Sequence, residues 1–205
     1  MATTTEDRHG SAGTGDVSDD QEHGGDMERK MYLRFAAMIV TGMFVMYWVM
    51  FVGSYSWSHI QFSQSRVYMA LVMGGAMTLV MLGWMLNMYK NMKVNVGIVV
   101  VGLLLIGFGT FLDRSQATVG DVEFMQGMIP HHSLAITRAE RFNVEDGRVC
   151  ELAVAISEAQ RREIDEMEWL IEDIRENGPA STRAEIEARP VPEFPADAVT
   201  ECNPD

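Results

Sequence analysis

Residues 31–112 contain no aspartate or glutamate, and this gap constrains the fold more than any other feature of the chain. Three apolar segments follow one another inside it: Phe35–Gly53, Val67–Met88 and Val94–Leu112. Each is about 20 residues long, which is enough for a helix to cross a hydrocarbon core of ~30 Å. A soluble domain is not expected to lack carboxylates over such a length. The pattern predicts an all-α protein with three transmembrane helices.

The basic residues that flank these segments predict their orientation. Lysines and arginines concentrate at residues 29–34, before the first span, and at residues 90–93, between the second and third spans. Arg66 and Arg114 alone lie near the opposite ends of the spans. Because cytoplasmic loops carry the excess of basic residues, the N-terminus is expected in the cytoplasm and residues 113–205 outside the plasma membrane.

Composition divides the chain into four parts. We expect an acidic, disordered cytoplasmic tail over residues 1–30, a three-helix transmembrane region over 31–112, an exported helical hairpin over 113–177, and a proline-rich tail over 178–205. A short helix is possible in that last tail near Thr182–Ala188. The net charge of −13 and the lack of a basic stripe exclude a nucleic-acid-binding protein.

Two cysteines, Cys150 and Cys202, are too few for a disulfide scaffold. Outside the membrane they could pair and tie the C-terminal tail to a helix, or they could remain thiols.

Methionine is unusually frequent, with 17 in 205 residues. Five of them recur at every fourth position of the second span: Met69, Met73, Met77, Met81 and Met85. Such a thioether ladder could conduct a soft ion such as Cu(I). Since a four-residue repeat drifts around a helix and methionine is a flexible apolar filler, packing is the favoured interpretation. Six glycines suit close contacts between the spans: Gly74, Gly75, Gly83, Gly97, Gly102 and Gly107.

Two helices are predicted in the exported part. Thr118, followed three residues later by Asp121, has the pattern of a helix N-terminus, and the first helix is expected over about 118–142. The second is expected over about 145–177, where Gly178 supplies a left-handed terminal position before a proline. One hairpin buries little, so it should dimerise into a four-helix bundle or pack on the membrane spans.

The apolar stripe of the second helix is interrupted. It is predicted to follow two heptad rows: Val149, Ile156, Glu163 and Leu170 in one, and Ala153, Gln160, Met167 and Ile174 in the other. A buried carboxylate at Glu163 is costly unless it is paired or bound to a metal. A wet edge, or a salt bridge from Glu163 to an arginine, is the alternative.

The first helix offers soft metal ligands at the same level. At 100° per residue, Met125, Met128 and His132 fall on one face with Asp121, whereas His131 points about 100° away. Thioethers and a neutral imidazole suit Cu(I) better than Zn(II).

Two runs of sequence resemble a known bacterial family, domain of unknown function 305. They are Phe124-Met125 to Met128-Ile129-Pro130-His131-His132, and Glu158 to Trp169-Leu170. The three-span block before them is similar to the membrane-anchored branch of that family. The resemblance implies a ferritin-like helical domain at a bacterial inner membrane, with a role in copper handling. The ligands it implies are Met125, Met128, His131, His132 and Met167, with Glu163 and Gln160 as further partners.

The expected function is metal binding, with Cu(I) sequestered or handed on outside the membrane and another divalent metal as a second possibility. No Glu-x-x-His motif of a di-iron site occurs in the predicted spans or hairpin and no catalytic motif is found there, so an enzyme is not expected. The expected partners are the metal ion, membrane lipid and a second copy of the chain. The alternatives are a metal-independent oligomerisation module and a transporter subunit that uses the membrane methionines.

Overall fold

The computed structural model describes the backbone of residues 16–195 and the side chains of residues 26–195. Within that range the chain is helical and has no strand. The helices are α1 (Asp16–Val49), α2 (Gln64–Met85), α3 (Met92–Ser115), α4 (Asp121–Arg141), α5 (Gly147–Asn177) and α6 (Arg183–Ala188). Cys202 lies outside the described residues, and Cys150 is buried in α5.

Three of these helices are long and apolar enough to cross a membrane: Asp26–Val49 within α1, then α2 and α3. This confirms the predicted spans, with shifts at their ends. The first helix ends at Val49 rather than Gly53, because the chain turns over residues 50–53. It also begins at Asp16, so residues 16–30 are helical where disorder was predicted. Acidic residues are favourable at the N-terminal end of a helix dipole, which is consistent with this extension.

Glycines and methionines interlock the three spans. A Cβ atom added at Gly74 would lie 2.4 Å from the sulfur of Met43, and one at Gly42 would lie 3.2 Å from the methyl of Met77. Gly75 and Gly102 bring α2 and α3 together in the same way. The prediction is wrong for Gly83, Gly97 and Gly107, around which a Cβ would meet nothing within 4 Å, since these three point away from the helix contacts.

The regular methionines of α2 serve mainly as packing. Met77, Met81 and Met85 lie against an apolar cluster between α1 and α2 that is formed by Phe35, Ile39, Leu82 and Tyr89. Met69, nearer the hairpin, is half exposed. The regular methionines of α2 are therefore packed at the end of the span near Met85, whereas Met69 at the other end is exposed.

Helices α4 and α5 form an antiparallel hairpin, called the hairpin below. Asp146 caps α5 by accepting from the backbone N–H of Arg148 at 2.9 Å. The predicted cap of α4 by Thr118 is wrong: Gly120 is the N-cap residue, and the Thr118 hydroxyl instead contacts Tyr68 of α2. Gly178 ends α5 at φ 76°, ψ 170°, a positive-φ conformation open essentially to glycine alone.

The stripe of α5 is displaced by one residue from one predicted row. The row of Ala153, Met167 and Ile174 packs inward, as predicted. The fully buried second row is Cys150, Ser157, Ile164 and Ile171. Of the predicted row, Val149 and Ile156 are exposed, whereas Leu170 packs against the edge of the core as predicted. Small residues at 150, 153 and 157 let α5 rotate toward α4, which leaves Val149 and Ile156 exposed.

A loop over residues 50–63, called the connecting loop, holds the hairpin on the membrane bundle. The backbone N–H of Tyr55 donates to the buried Ser133 hydroxyl at 2.7 Å, and His59 Nδ1 lies 2.9 Å from the same oxygen. Gly53 packs so closely on Leu134 that a Cβ there would lie 2.4 Å from the leucine methyl. One face of the hairpin thus rests on the membrane region, the second solution foreseen from the sequence.

Candidate metal site in the helical hairpin

His132 and Glu163 meet between the two hairpin helices. The imidazole Nδ1 lies 3.2 Å from the carboxylate Oε2, with 12% of the histidine side chain and 42% of the glutamate side chain exposed. The distance is short, yet Nδ1 is buried and has no partner in hydrogen-bond geometry among the described residues. The two polar atoms therefore lie close together without forming an aligned hydrogen bond.

This approach has a definite chemical meaning. An imidazole nitrogen without a proton and a carboxylate oxygen are both electron-pair donors, so they repel each other unless something electropositive lies between them. Either the ring proton on Nδ1 or a bound metal ion can fill that place. Two ligand atoms held 2.0–2.1 Å from an ion at a tetrahedral angle lie about 3.3 Å apart, close to the separation seen here.

Burial favours the neutral imidazole. The pKa of His132 is lowered by desolvation, and further by the neighbouring His131, against an opposing effect of the Glu163 charge. A lowered pKa leaves the ring deprotonated near neutral pH, which is the form that binds metals.

Three methionines lie next to His132 and Glu163 along the two hairpin helices. His132 faces Glu163 and Glu140 faces Arg161, which fixes the antiparallel register of the hairpin. One turn away on each helix, Met128 and Met167 therefore lie at a common level, and both pack in the same apolar cluster. Met125 is buried in that cluster one further turn from His132. Gln160 donates to Glu163 Oε2 at 3.4 Å.

His131 does not join this group. Its side chain is exposed, and it lines one cavity in the groove along α4 and α5 and another where α4 meets α1 and α2. The two rings are 5.9 Å apart with planes at 60°. The helical wheel predicted this divergence. The structure thus brings together His132, Glu163, Gln160, Met128 and Met167, and leaves His131 apart.

An ion pair near the loop end of the hairpin was missed by sequence reasoning. Glu140, only 7% exposed, accepts from Arg161 at 2.6 Å and from the Ser157 hydroxyl at 2.5 Å. The Arg161 guanidinium also lies 4.6 Å from the centre of the Tyr55 ring. An arginine does neutralise a glutamate of the hairpin, but the glutamate is Glu140 rather than Glu163. No signal in the sequence pointed to this pair, since the predicted rows of α5 left Ser157 outside the stripe.

Among residues 26–195, no three His, Cys, Asp or Glu side chains cluster closely enough to hold a metal ion. Among these residues, the candidate site offers one imidazole and one carboxylate, those of His132 and Glu163. The further donors beside them in that range are the methionine sulfurs and the Gln160 amide oxygen.

The comparisons with known proteins agree with the sequence motif. The family described as "Domain of unknown function (DUF305)" matches residues 121–197, which include the whole hairpin. An uncharacterized protein of Acanthamoeba polyphaga mimivirus is 36% identical over 104 residues, covering 47% of this chain and 68% of the viral protein. No solved structure matches the chain. The chain belongs to the DUF305 family.

Proposed function

We propose that this protein is a membrane-anchored metal-binding protein that holds Cu(I) in its hairpin. The observation that carries the proposal is the buried, unbonded Nδ1 of His132 at 3.2 Å from the Glu163 carboxylate. Groups left in this way inside a protein need an explanation, and a bound cation is one.

The neighbouring sulfurs decide which ion is favoured. An imidazole and a carboxylate alone would suit Zn(II) or another divalent ion. Met128 and Met167 add thioethers one turn away, and thioethers select Cu(I) among the common metals. Copper is the cargo here: a neutral nitrogen and weak sulfur ligands hold it, and exchange of one sulfur would let it pass to an acceptor.

The proposed location follows from the charges at the membrane. With the basic residues near 29–34 and 90–93 in the cytoplasm, the hairpin lies outside a bacterial inner membrane. Copper would then be held before it reaches the cytoplasm.

A second candidate function is oligomerisation without metal, and an exposed apolar surface favours it. Val149, Leu152 and Ile156 of α5 are 39–60% exposed beside Phe142. They line a groove along the hairpin between α4 and α5. A second copy covering this surface would complete a four-helix bundle.

The test is Cu(I) competition against a colorimetric chelator, with the full-length protein purified in detergent. The variants are His132→Leu and Met128→Leu/Met167→Leu, and Met81→Leu, which packs inside the membrane bundle, is the matched control. We expect His132→Leu to weaken binding by roughly 10- to 100-fold or more, since even the partners of metal ligands contribute that much. Met81→Leu should bind like the wild type.

Absence of stoichiometric Cu(I) from the wild type would reject the proposal. If the metal-free protein is also dimeric in light scattering, the oligomerisation function is then favoured. Unchanged affinity in His132→Leu would instead place the ion elsewhere in the chain.

A further inference from the structure

A second group of soft donors surrounds a cavity where the hairpin meets the membrane bundle. This cavity, called the junction cavity, has a volume of about 770 Å³. Its walls include three thioethers and one imidazole: Met50, Met69, Met128 and His131. We infer that the junction cavity is a second Cu(I) site, through which the ion reaches the hairpin. The inference rests on the proposed function.

Separate elements supply the four donors that line the cavity. Met50 follows the C-terminal end of α1, and Met69 lies in the second turn of α2. Met128 and His131 come from the face of α4 that also carries Phe124 and Gly127, both of which line the cavity. These positions are three or four residues apart, so they form one helix face, next to the face that carries His132.

The donors are available because packing does not use them fully. Met69 is half exposed, and Met50 and Met128 are partly exposed, unlike the buried Met125 and Met167. His131 is exposed as well. Thioethers and imidazole in a partly apolar cavity form a donor set suited to Cu(I) rather than to oxygen-seeking ions.

The charges of the cavity wall also favour a cation. Asp113, Asp121 and Glu123 contribute three carboxylates, against the single guanidinium of Arg66. That guanidinium donates to the Met50 carbonyl and lies 4.0 Å from the centre of the Phe51 ring. Arg66 is thus occupied at the C-terminal end of α1, where a positive charge suits the helix dipole.

Met128 links the two sites. It lines the junction cavity and also packs in the apolar cluster that contains Met167. His131 and His132, adjacent in sequence, face the junction cavity and the hairpin interior respectively. An ion bound by His131 and Met128 could therefore move to Met128 and His132 by exchanging one imidazole for the other.

The experiment measures how many Ag(I) ions the full-length protein binds in detergent, since Ag(I) mimics Cu(I) without redox chemistry. Calorimetry and metal analysis of gel-filtered protein give the stoichiometry. We expect two ions for the wild type and one for Met50→Leu/Met69→Leu. We also expect one for His131→Leu, which alters an exposed side chain and leaves the membrane bundle untouched. The matched control is Met77→Leu/Met81→Leu, which changes two packed methionines of the same bundle and should retain two.

The outcomes separate the two proposals. A wild type that binds no Ag(I) or Cu(I) overturns the proposed function. A wild type that binds one ion, lost in His132→Leu but kept in Met50→Leu/Met69→Leu and in His131→Leu, overturns the junction site and leaves the hairpin site standing. An equal loss in the Met77→Leu/Met81→Leu control would show that bundle packing, not ligation, sets the stoichiometry, and would also overturn the inference.

Discussion

At the scale of single residues, His132 combines burial with a carboxylate neighbour that does not hydrogen-bond it well. Burial lowers its pKa, and Glu163 opposes that effect. His59 in the connecting loop has a pKa lowered chiefly by burial, with Asp165 raising it and Arg161 lowering it. Both rings are therefore more easily protonated in the unfolded chain than in the folded one.

We expect the metal-free protein to lose stability as the pH falls. Above pH 6.5 the two histidines are neutral in both states and contribute no pH dependence. Below it the unfolded chain binds more protons than the folded chain. The free energy of unfolding therefore decreases from about pH 6.5 down to the lowered pKa values.

Thermal unfolding at pH 7.5 and pH 5 measures this effect. The loss between the two should be smaller in His132→Asn than in the wild type. His131→Asn, which removes only the lesser lowering effect of His131 on the His132 pKa, should reduce the loss less. A wild-type loss fully retained in His132→Asn would contradict the assignment to His132.

Several site residues were predictable one by one. Residue spacing predicted the common face of Met128 and His132 and the divergence of His131. It also predicted a polar level at Gln160 and Glu163. The pairing of Glu140 with Arg161 was not predictable, because it depends on a one-residue rotation of α5. The contacts of Tyr55 and His59 with Ser133 join positions more than 70 residues apart and leave no periodic signal.

At the scale of helices, polar contacts inside the hairpin fix its register. The side chain of Glu140 is almost fully buried, and it is neutralised by Arg161 and the Ser157 hydroxyl. The residues that were predicted to cap or end the hairpin helices also belong to this scale. Gly178 ended α5 as predicted, although at ψ 170° rather than in the left-handed helical conformation. Thr118 failed as a cap because its hydroxyl contacts Tyr68 of α2.

Replacing Arg161 should destabilise the hairpin strongly. In Arg161→Met the Glu140 carboxylate stays buried with a hydroxyl as its remaining side-chain partner, and we expect a loss of about 3 kcal/mol. The double variant Arg161→Met/Glu140→Met should recover much of it, since no charge is then left buried.

Chemical denaturation followed by helical circular dichroism measures these differences. The matched control is Arg162→Met, whose contact with Glu166 is 3.7 Å long and exposed, so its cost should be about 0–1 kcal/mol. Equal costs for Arg161→Met and Arg162→Met would refute the role given to the buried pair.

The contact between α2 and α3 depends on the absence of a side chain at Gly75. A Cβ there would lie 2.6 Å from the Gly102 carbonyl oxygen, so Gly75→Ala must push the helices apart, at a cost of about 1–3 kcal/mol. Gly83→Ala, on the same helix and facing open space, should be neutral or slightly stabilising. Thermal stability in detergent compares the two, and a Gly83→Ala cost as large as that of Gly75→Ala would show that general helix effects dominate.

At the scale of the whole molecule, membrane region and hairpin are joined through few but specific contacts. The connecting loop hydrogen-bonds Ser133 and packs on Leu134, and Thr118, just before α4 begins, contacts Tyr68. Sequence predicted the order and approximate limits of the spans and hairpin helices, because hydropathy and caps are local properties. It left open whether the hairpin packs on a second copy of the chain or on the spans, since packing on the spans depends on the connecting loop.

The contacts of the connecting loop with Ser133 have a consequence for the imidazoles of His131 and His132. Ser133 directly follows His132, and its hydroxyl is contacted by the backbone N–H of Tyr55 and by His59. The connecting loop therefore lies against the turn of α4 that carries both rings, of which His132 faces Glu163 and His131 lines the junction cavity. A hairpin cut free of its anchor would keep the angle between the two rings, because the helix sets that angle, but it would lose the α1 and α2 side of the cavity that His131 lines. The membrane spans of this protein therefore complete the surroundings of one histidine as well as tethering the hairpin.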